Sequence, residues 1–494
     1  MKKVTALILA LMLALGVMSF AGAEEKVEIQ LYHCTFELDG DPDAEQLKKV
    51  EDAINEYIAD KINVVIRLTD FHTSDYPEKA RLALENNGVN LLWTAAWMST
   101  VDCGSLVAQK AAYDITDLLP GTKLYESMDE GQWEATKYDG RNYFVPVYKD
   151  NVEGYDFMFR KELVDKYGWD VTKVEKLEDL EPMLEEAKEG DDLQYPFLLQ
   201  STAMFYRLMM DRFDFFTGKV ETNFFAVDRK TGEVVNTLQT PEYAAYCKLM
   251  GEWADKEYIS GDESLKMTND TTPKSQDWAV SWWTDIPVNV EANTRYEQEM
   301  VMQPATKRYS HSTSALGSCY AISADSTEEQ AKACIDFLGL LYTDSKLADI
   351  YTFGIEGEDF EYTREEGEEI DHVKQNSDKY KHSMWDSASA TIVTPMIGEP
   401  DNKAELYREF NGGAETSVAA GFRFNVDPVK KKYDACAEKF EEFGFQLETG
   451  AIPADMVDDY IEQYQNELDS AGYQDVLEEF QKQFNEWKEA QKAE

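Results

Sequence analysis

The sequence predicts an α/β protein of more than one lobe with a helical C-terminal region, and three observations carry that reading. Strand and helix patterns alternate from residue 27 onward. The chain has 494 residues, room for two or three lobes at about 100–200 residues each. Its end repeats apolar residues at helical spacing.

Val27, Ile29 and Leu31 alternate with Glu28 and Gln30, the period of a strand. After a polar loop, Leu47, Val50, Ile54, Tyr57 and Ile58 line one face of a helix, and Ile62, Val64, Ile66 and Leu68 alternate again. That βαβ unit favours a parallel sheet. A second helix is expected from Tyr76 to Glu85, stopping at Asn86-Asn87-Gly88, and a third strand over 90–95. Open α/β sheets bind ligands beyond the carboxyl ends of their strands, which makes Trp93 and Trp97 candidates. Over 143–148 the chain is extended, with Pro146 limiting it to an edge or a crossing between lobes. Leu163 to Ile259 reads as mainly helical, with an aromatic-rich stretch at Met204-Phe205-Tyr206 and a turn at Thr231-Gly232. Residues 277–285 read as a buried strand carrying Trp282, Trp283 and Asp285, and 300–304 as a second crossing. Ser326 with Glu329 forms a capping box opening another helix. Leu477, Phe480, Phe484 and Trp487 form the apolar stripe of the last one.

The N-terminus begins Met1-Lys2-Lys3, runs apolar from Val4 to Phe20, and reads Ala21-Gly22-Ala23 before two acids. These are the parts of a signal peptide cleaved after Ala23. The net charge of −48 repels phosphate backbones and anionic lipid, which excludes nucleic-acid binding. With 43% hydrophobic and 12% aromatic residues the chain is nevertheless a folding one. None of the six cysteines makes a CxxC or zinc-ligand spacing, and disulfides and buried thiols are both open. The histidines (His33, His72, His311, His372, His382) show no HxxxH spacing and are expected at the surface or at caps. Asp39, Asp41 and Asp43 resemble the start of a calcium loop, but Ala44 and Val50 stand where a glycine and a closing glutamate belong, so a solvated loop is expected. No metal or other cofactor is expected.

Residues 133–146, WEATKYDGRNYFVP, resemble the segment of extracellular solute-binding proteins that leads into an interlobe strand. Leu340-Leu341-Tyr342-Thr343-Asp344 followed by Tyr351-Thr352-Phe353-Gly354-Ile355-Glu356-Gly357 is similar to a signature of one Firmicutes-type branch of that family. Gly421-Phe422-Arg423-Phe424 and the helix after Gly472 resemble the branch's closing domain, whose function is unassigned. The order of these pieces spans nearly the whole mature chain.

The resemblance implies a periplasmic-binding-protein-like fold of type II, with two α/β lobes, a hinge of two or three crossings and a helical C-terminal extension. It implies ABC-transporter permease subunits as partners, a small-molecule ligand, a sugar or oligosaccharide, captured by hinge closure, no enzymatic activity and a monomer. The expected organisation is signal peptide 1–23; lobe 1, 24–145 and 304–350; lobe 2, 146–303 and 351–430; and a helical region 431–494 packed on the lobes. The chain is expected outside the cell or at its surface, or periplasmic in a Gram-negative envelope. It departs from lipid-anchored relatives in lacking a cysteine at the signal's end.

A sugar offers apolar ring faces and a hydroxyl rim, so its site needs flat aromatic rings with amides, hydroxyls and carboxylates in the ring plane. Trp93, Trp97, Tyr148, Trp282, Trp283, Asp285, Ser312, Ser314 and Tyr320 are the candidates, each in competition with a core role. Because Trp282 and Trp283 are adjacent on a strand, one of the two is expected to reach the cleft. Trp385 and Trp253 are weaker candidates, since helix packing explains them as well. Two other readings remain: a cationic ligand such as a polyamine or basic peptide, favoured by an acidic cleft, and a secreted glycoside hydrolase with paired carboxylates.

Overall fold

The computed structural model describes residues 26–199, 204–215, 222–260, 277–288, 290–310, 314–364 and 367–491. The signal-peptide reading, Ser312 and His311 lie outside them. Eight strands build the two sheets that matter here: β1 (Val27–Thr35), β2 (Val64–His72), β3 (Leu91–Thr94), β4 (Phe144–Pro146), β5 (Tyr155–Arg160), β6 (Val280–Thr284), β7 (Met300–Pro304) and β8 (Cys319–Ile322).

The first sheet runs β2-β1-β3-β8-β4. β1 pairs in parallel with β2 and β3, through the helices Ala44–Ile58 and Tyr76–Glu85, as the alternation predicts. Strand β8 returns antiparallel between β3 and β4. β4 is an edge strand, which suits Pro146, a residue with no N–H to give a further neighbour. The helix Glu328–Leu341 is capped by Thr327 and Gln330, one position later than the sequence pattern suggests. The second sheet is antiparallel, β6-β5-β7. Part of the stretch expected to be helical instead forms a three-stranded sheet from Phe213–Asp214, Phe225–Asp228 and Val234–Asn236, with Gly232 making the turn at φ 68°.

Each sheet has its own hydrophobic core. The first gathers residues from Ile29 to Tyr148 and from Leu316 to Val393. The second gathers residues from Tyr155 to Tyr309 and from Ala419 to Phe484. This allocation corrects one expectation. Residues 351–393, expected in lobe 2, give Tyr351, Phe353, Phe360, Val373 and Tyr380 to the first core. The C-terminal helices belong to the second lobe's core: Phe480 packs on Phe225, Phe422 and Phe424 at ring separations of 4.9, 5.3 and 5.0 Å. Gly251 lets this happen, because a Cβ there would lie 2.7 Å from Ala454 N and 2.8 Å from Ile452 O.

Among the described residues the chain passes between cores three times, after Tyr148, after Tyr309 and after Val393. The expected crossings at 143–148 and 300–304 are instead β4 and β7, each inside its own sheet. The crossings hold one another by backbone hydrogen bonds. Glu153 and Tyr309 exchange N–H···O bonds of 2.9 and 2.8 Å, and Glu415 N donates to Arg308 O at 2.9 Å. Tyr309–Ser310 pairs in parallel with Glu415–Thr416.

Candidate functional site

A cleft of about 890 Å³ lies between the two cores, lined by residues of both lobes and of the crossings. Its first-lobe wall is aromatic. Trp97, just past the end of β3, is 45% exposed, and its Nε1 donates to Gly317 O at 2.7 Å. Phe36 packs behind it and against Trp385, with ring centroids 6.0 and 4.9 Å away. Trp385, half-buried, lines the same wall beside Lys381, His382 and Ser383. Ser383 donates to Glu37 Oε1 at 2.7 Å.

The second-lobe wall offers hydrogen-bonding groups. The Arg207 guanidinium stacks on Trp282 at 4.2 Å, and that of Arg295 lies over Trp283 at 5.2 Å. Glu153, at the first crossing, accepts from the Tyr206 hydroxyl at 3.1 Å and from the Tyr155 hydroxyl. Burial, with the Glu153 carboxylate close by, holds both phenols well above the ordinary tyrosine range. Lys149 pairs with Asp150 at 3.1 Å and Lys403 with Glu399 at 2.6 Å, so these cleft charges are locally compensated.

The sequence candidates divide. Trp97, Trp282, Trp283 and Ser314 line the cleft. Trp283 projects into a satellite cluster with Met158, Trp278 and Tyr296 while Trp282 faces the second core, the opposite faces a strand requires. Both nevertheless reach the cleft, because β6 ends at its floor; each is only 7% exposed. Trp93, Tyr148 and Tyr320 are not cleft-lining groups. Trp93 is fully buried with Nε1 donating to Ser318 Oγ at 2.9 Å. Tyr320, its cross-strand neighbour, donates to Ser387 O at 2.5 Å. Tyr148 belongs to the first core. Trp93 and Tyr320 sit on a sheet whose faces are covered by helices and by residues 380–390, and Tyr148, two residues past β4, is held in the same core, where Ala390 N donates to its carbonyl at 2.7 Å.

Asp285 is a hinge brace and lies outside the cleft lining. It takes a two-pronged pair from Arg308, at 2.5 and 3.1 Å, with Gly154 so close that a Cβ would sit 3.2 Å from Asp285 Oδ2. Its neighbour Asp156 is buried, and burial together with the Asp285 charge pushes its carboxyl up to about 7. Tyr206, Arg207, Arg295, Lys381 and Glu37 were not singled out from sequence; the aromatic cluster at 204–206 was the one signal near any of them. All six cysteines are buried free thiols, with Cys103 and Cys319 Sγ atoms 3.5 Å apart. His33, His372 and His382 are buried rather than superficial. Asp43 of the acidic loop caps the first helix by accepting from Gln46 N at 2.9 Å, and Asp41 accepts from His72 N at 2.7 Å.

Two lobes with separate cores, three paired crossings and a cleft walled from both sides define a two-lobed ligand receptor. The chain belongs to the bacterial extracellular solute-binding protein family, whose model matches residues 52–356; a domain of unknown function matches residues 418–489. Among relatives, a carbohydrate ABC transporter substrate-binding protein of Streptococcus pneumoniae is 26% identical over 447 residues, 88% of this chain and 86% of that one. Among solved structures, the N-glycan transport solute binding protein NgtS of Streptococcus pneumoniae superposes with a TM-score of 0.78 at 25% identity, over 93% of this chain and 99% of that one. Its complex with Man5GlcNAc gives 0.69 at 24%, over 94% and 98%. An HMO-binding, ABC-transporter-associated solute binding protein from Bifidobacterium longum infantis gives 0.62 at 16%, over 94% and 99%.

Proposed function

We propose that this protein is an exported monomer that captures an oligosaccharide between its lobes by hinge closure and delivers it to an ABC importer, without chemical change to the sugar. The observation that carries the reading is the make-up of the cleft: aromatic rings from both lobes, Trp97 and Trp385 on one and Trp282 and Trp283 on the other, interleaved with guanidinium, hydroxyl and carboxylate groups. A pyranose presents the complementary pair, an apolar face and a polar rim. The names of its relatives, a carbohydrate transporter component and an N-glycan transport protein, support the same ligand class. Export is supported by the basic, apolar and small-residue pattern of residues 1–23.

Charge separates this reading from a cationic ligand. The whole chain carries 96 acids against 48 bases. The cleft departs from that ratio: five acids (Glu37, Asp39, Asp150, Glu153, Glu399) face five bases (Lys149, Arg207, Arg295, Lys381, Lys403). A neutral glycan suits such a lining better than a polyamine. The hydrolase reading is weaker too. Asp70 and Asp156, whose carboxyls burial pushes up to about 7, are not among the cleft-lining residues.

The test is calorimetric titration of the purified protein with Man5GlcNAc and, separately, with spermidine, alongside small-angle scattering. Glycan binding with a fall in radius of gyration is the expected outcome. Saturation by spermidine with no heat from the glycan would overturn the ligand class. A radius unchanged at glycan saturation would overturn hinge closure.

A further inference from the structure

Three residues far apart in sequence meet beneath the first-lobe wall: His33 near the end of β1, Asp70 near the end of β2, and His382 in the segment that lines the cleft. All are buried, and one nitrogen or oxygen from each lies within 4.8 Å of those of the other two. The imidazoles stack with centroids 4.0 Å apart.

Their hydrogen bonds fix which nitrogens carry hydrogen. His33 Nε2 lies 2.9 Å from the Asp386 carbonyl, which can only accept, so Nε2 holds the hydrogen and Nδ1 a bare lone pair. Nδ1 is buried and has no hydrogen-bond partner. The Tyr380 hydroxyl spends its hydrogen on Tyr351 O at 2.6 Å, leaving its oxygen to accept from His382 Nδ1 at 3.3 Å. His382 Nε2 is then also a lone pair, and it lies 2.7 Å from Asp70 Oδ2. Asp70 Oδ1 is buried without a partner. With both imidazoles neutral, His33 Nδ1, His382 Nε2 and the Asp70 carboxyl converge as lone-pair donors, with one proton to share across the 2.7 Å contact between Asp70 and His382.

We propose that His33, Asp70 and His382 form a divalent-metal site, best matched to zinc, that pins the 380–386 segment of the cleft wall to the ends of β1 and β2. The donor set is two neutral imidazoles and a carboxylate, with a fourth position left open, a combination suited to zinc. Each imidazole already donates its other N–H to an oxygen, the arrangement that orients a metal-ligating histidine. Zinc bonds of about 2.0–2.1 Å put tetrahedral donors about 3.3 Å apart. The observed 2.7 Å contact and 4.8 Å limit bracket that spacing. His382 is among the residues that border the cleft, so the site lies directly behind the cleft wall. The segment it anchors carries Lys381, Ser383 and Trp385, so an ion here stiffens one wall of the cleft.

The experiment measures the metal content of the full exported chain as purified, then strips it with chelator and titrates it with Zn²⁺, and with Co²⁺ as a spectroscopic probe. Expected are one tightly held ion per chain, visible d–d bands of tetrahedral cobalt, and an affinity about 100-fold or more weaker in His33→Gln and Asp70→Asn. Absence of stoichiometric metal both as purified and after titration overturns the proposal. So does binding of equal strength in folded variants, which would place the ion on surface carboxylates. If the variants do not fold, the wild-type cobalt spectrum decides: weak bands of an octahedral, oxygen-only shell overturn the site.

Discussion

Replacing Trp97 by alanine tests the aromatic wall directly. The side chain is 45% exposed, and with roughly 250 Å² of surface for a tryptophan about 110 Å² stands open. A sugar ring stacked on one face covers about half of that, about 55 Å². At about 25 cal/mol per Å² the lost contact is about 1.4 kcal/mol, a tenfold rise in Kd. Trp97 also gives the fold its bond to Gly317 O, about 1 kcal/mol, and its ring contacts with Phe36 and Trp93, so the variant is less stable as well and its Kd is read below its own melting temperature. The assay is calorimetry with Man5GlcNAc on wild type, Trp97→Ala and Trp169→Ala. Trp169 stacks on Tyr167 outside the cleft and should leave Kd unchanged. A Trp97→Ala Kd within twofold of wild type, for a glycan the wild type binds, refutes the stacking argument.

Three further outcomes follow from the geometry. Asp156 ionises at about 7 when folded and near 3.9 when unfolded, so between those values the folded chain holds a proton the unfolded one lacks, and this group's contribution to stability falls as pH rises from about 4 to about 7. Asp156→Asn should therefore gain over wild type as pH rises, by about 5 °C or more in Tm at pH 8; a gap that does not widen between pH 4 and 8 contradicts the assignment. Phe480→Ala empties a fully buried site in the second core and should cost about 3–5 kcal/mol in denaturant unfolding, a loss that a merely appended helix would not show. Arg308→Met strands the buried Asp285; because Arg308 is 39% exposed, the cost should be about 1–2 kcal/mol, partly recovered in Arg308→Met/Asp285→Leu, and an unchanged Tm in the single variant would remove the brace.

The first lobe was legible because its elements are local: Val27 to Leu31, Leu47 to Ile58 and Ile62 to Leu68 each carry a period that a single strand or helix explains. The helix Tyr76–Glu85 agrees residue for residue with its stop signal. The crossings were misplaced by a few residues because Pro146 and Met300–Pro304 are extended in either setting, sheet or hinge. What separates the two settings is the partner strand, which lies elsewhere in the chain. The same holds for the site. Trp93 and Trp97 are four positions apart, yet one is fully buried and the other 45% exposed, because Phe36, Trp385 and Tyr76 all close around the first, whereas Trp97 has ring contacts with Phe36 and Trp93 alone among the described residues. The His33, Asp70 and His382 cluster joins residues from two strands and a distant loop, and no spacing rule could have found it.

The hinge and the cleft explain each other. An open receptor exposes Trp97 and Trp385 on one lobe and Arg207 and Arg295 on the other, so a sugar landing on either wall gains only part of its contacts. Closure adds the rest, and that difference is the free energy available to shift the lobes; a ligand touching one wall alone shifts nothing. The crossings must then bend without losing register. They are short, paired by backbone bonds at Glu153, Tyr309 and Glu415, and fixed at one point by Arg308 on Asp285. Under the proposed closure, rotation about that point would change the distance between the walls far more than the distances within the ribbon, so the ribbon would keep its hydrogen bonds as the walls approach.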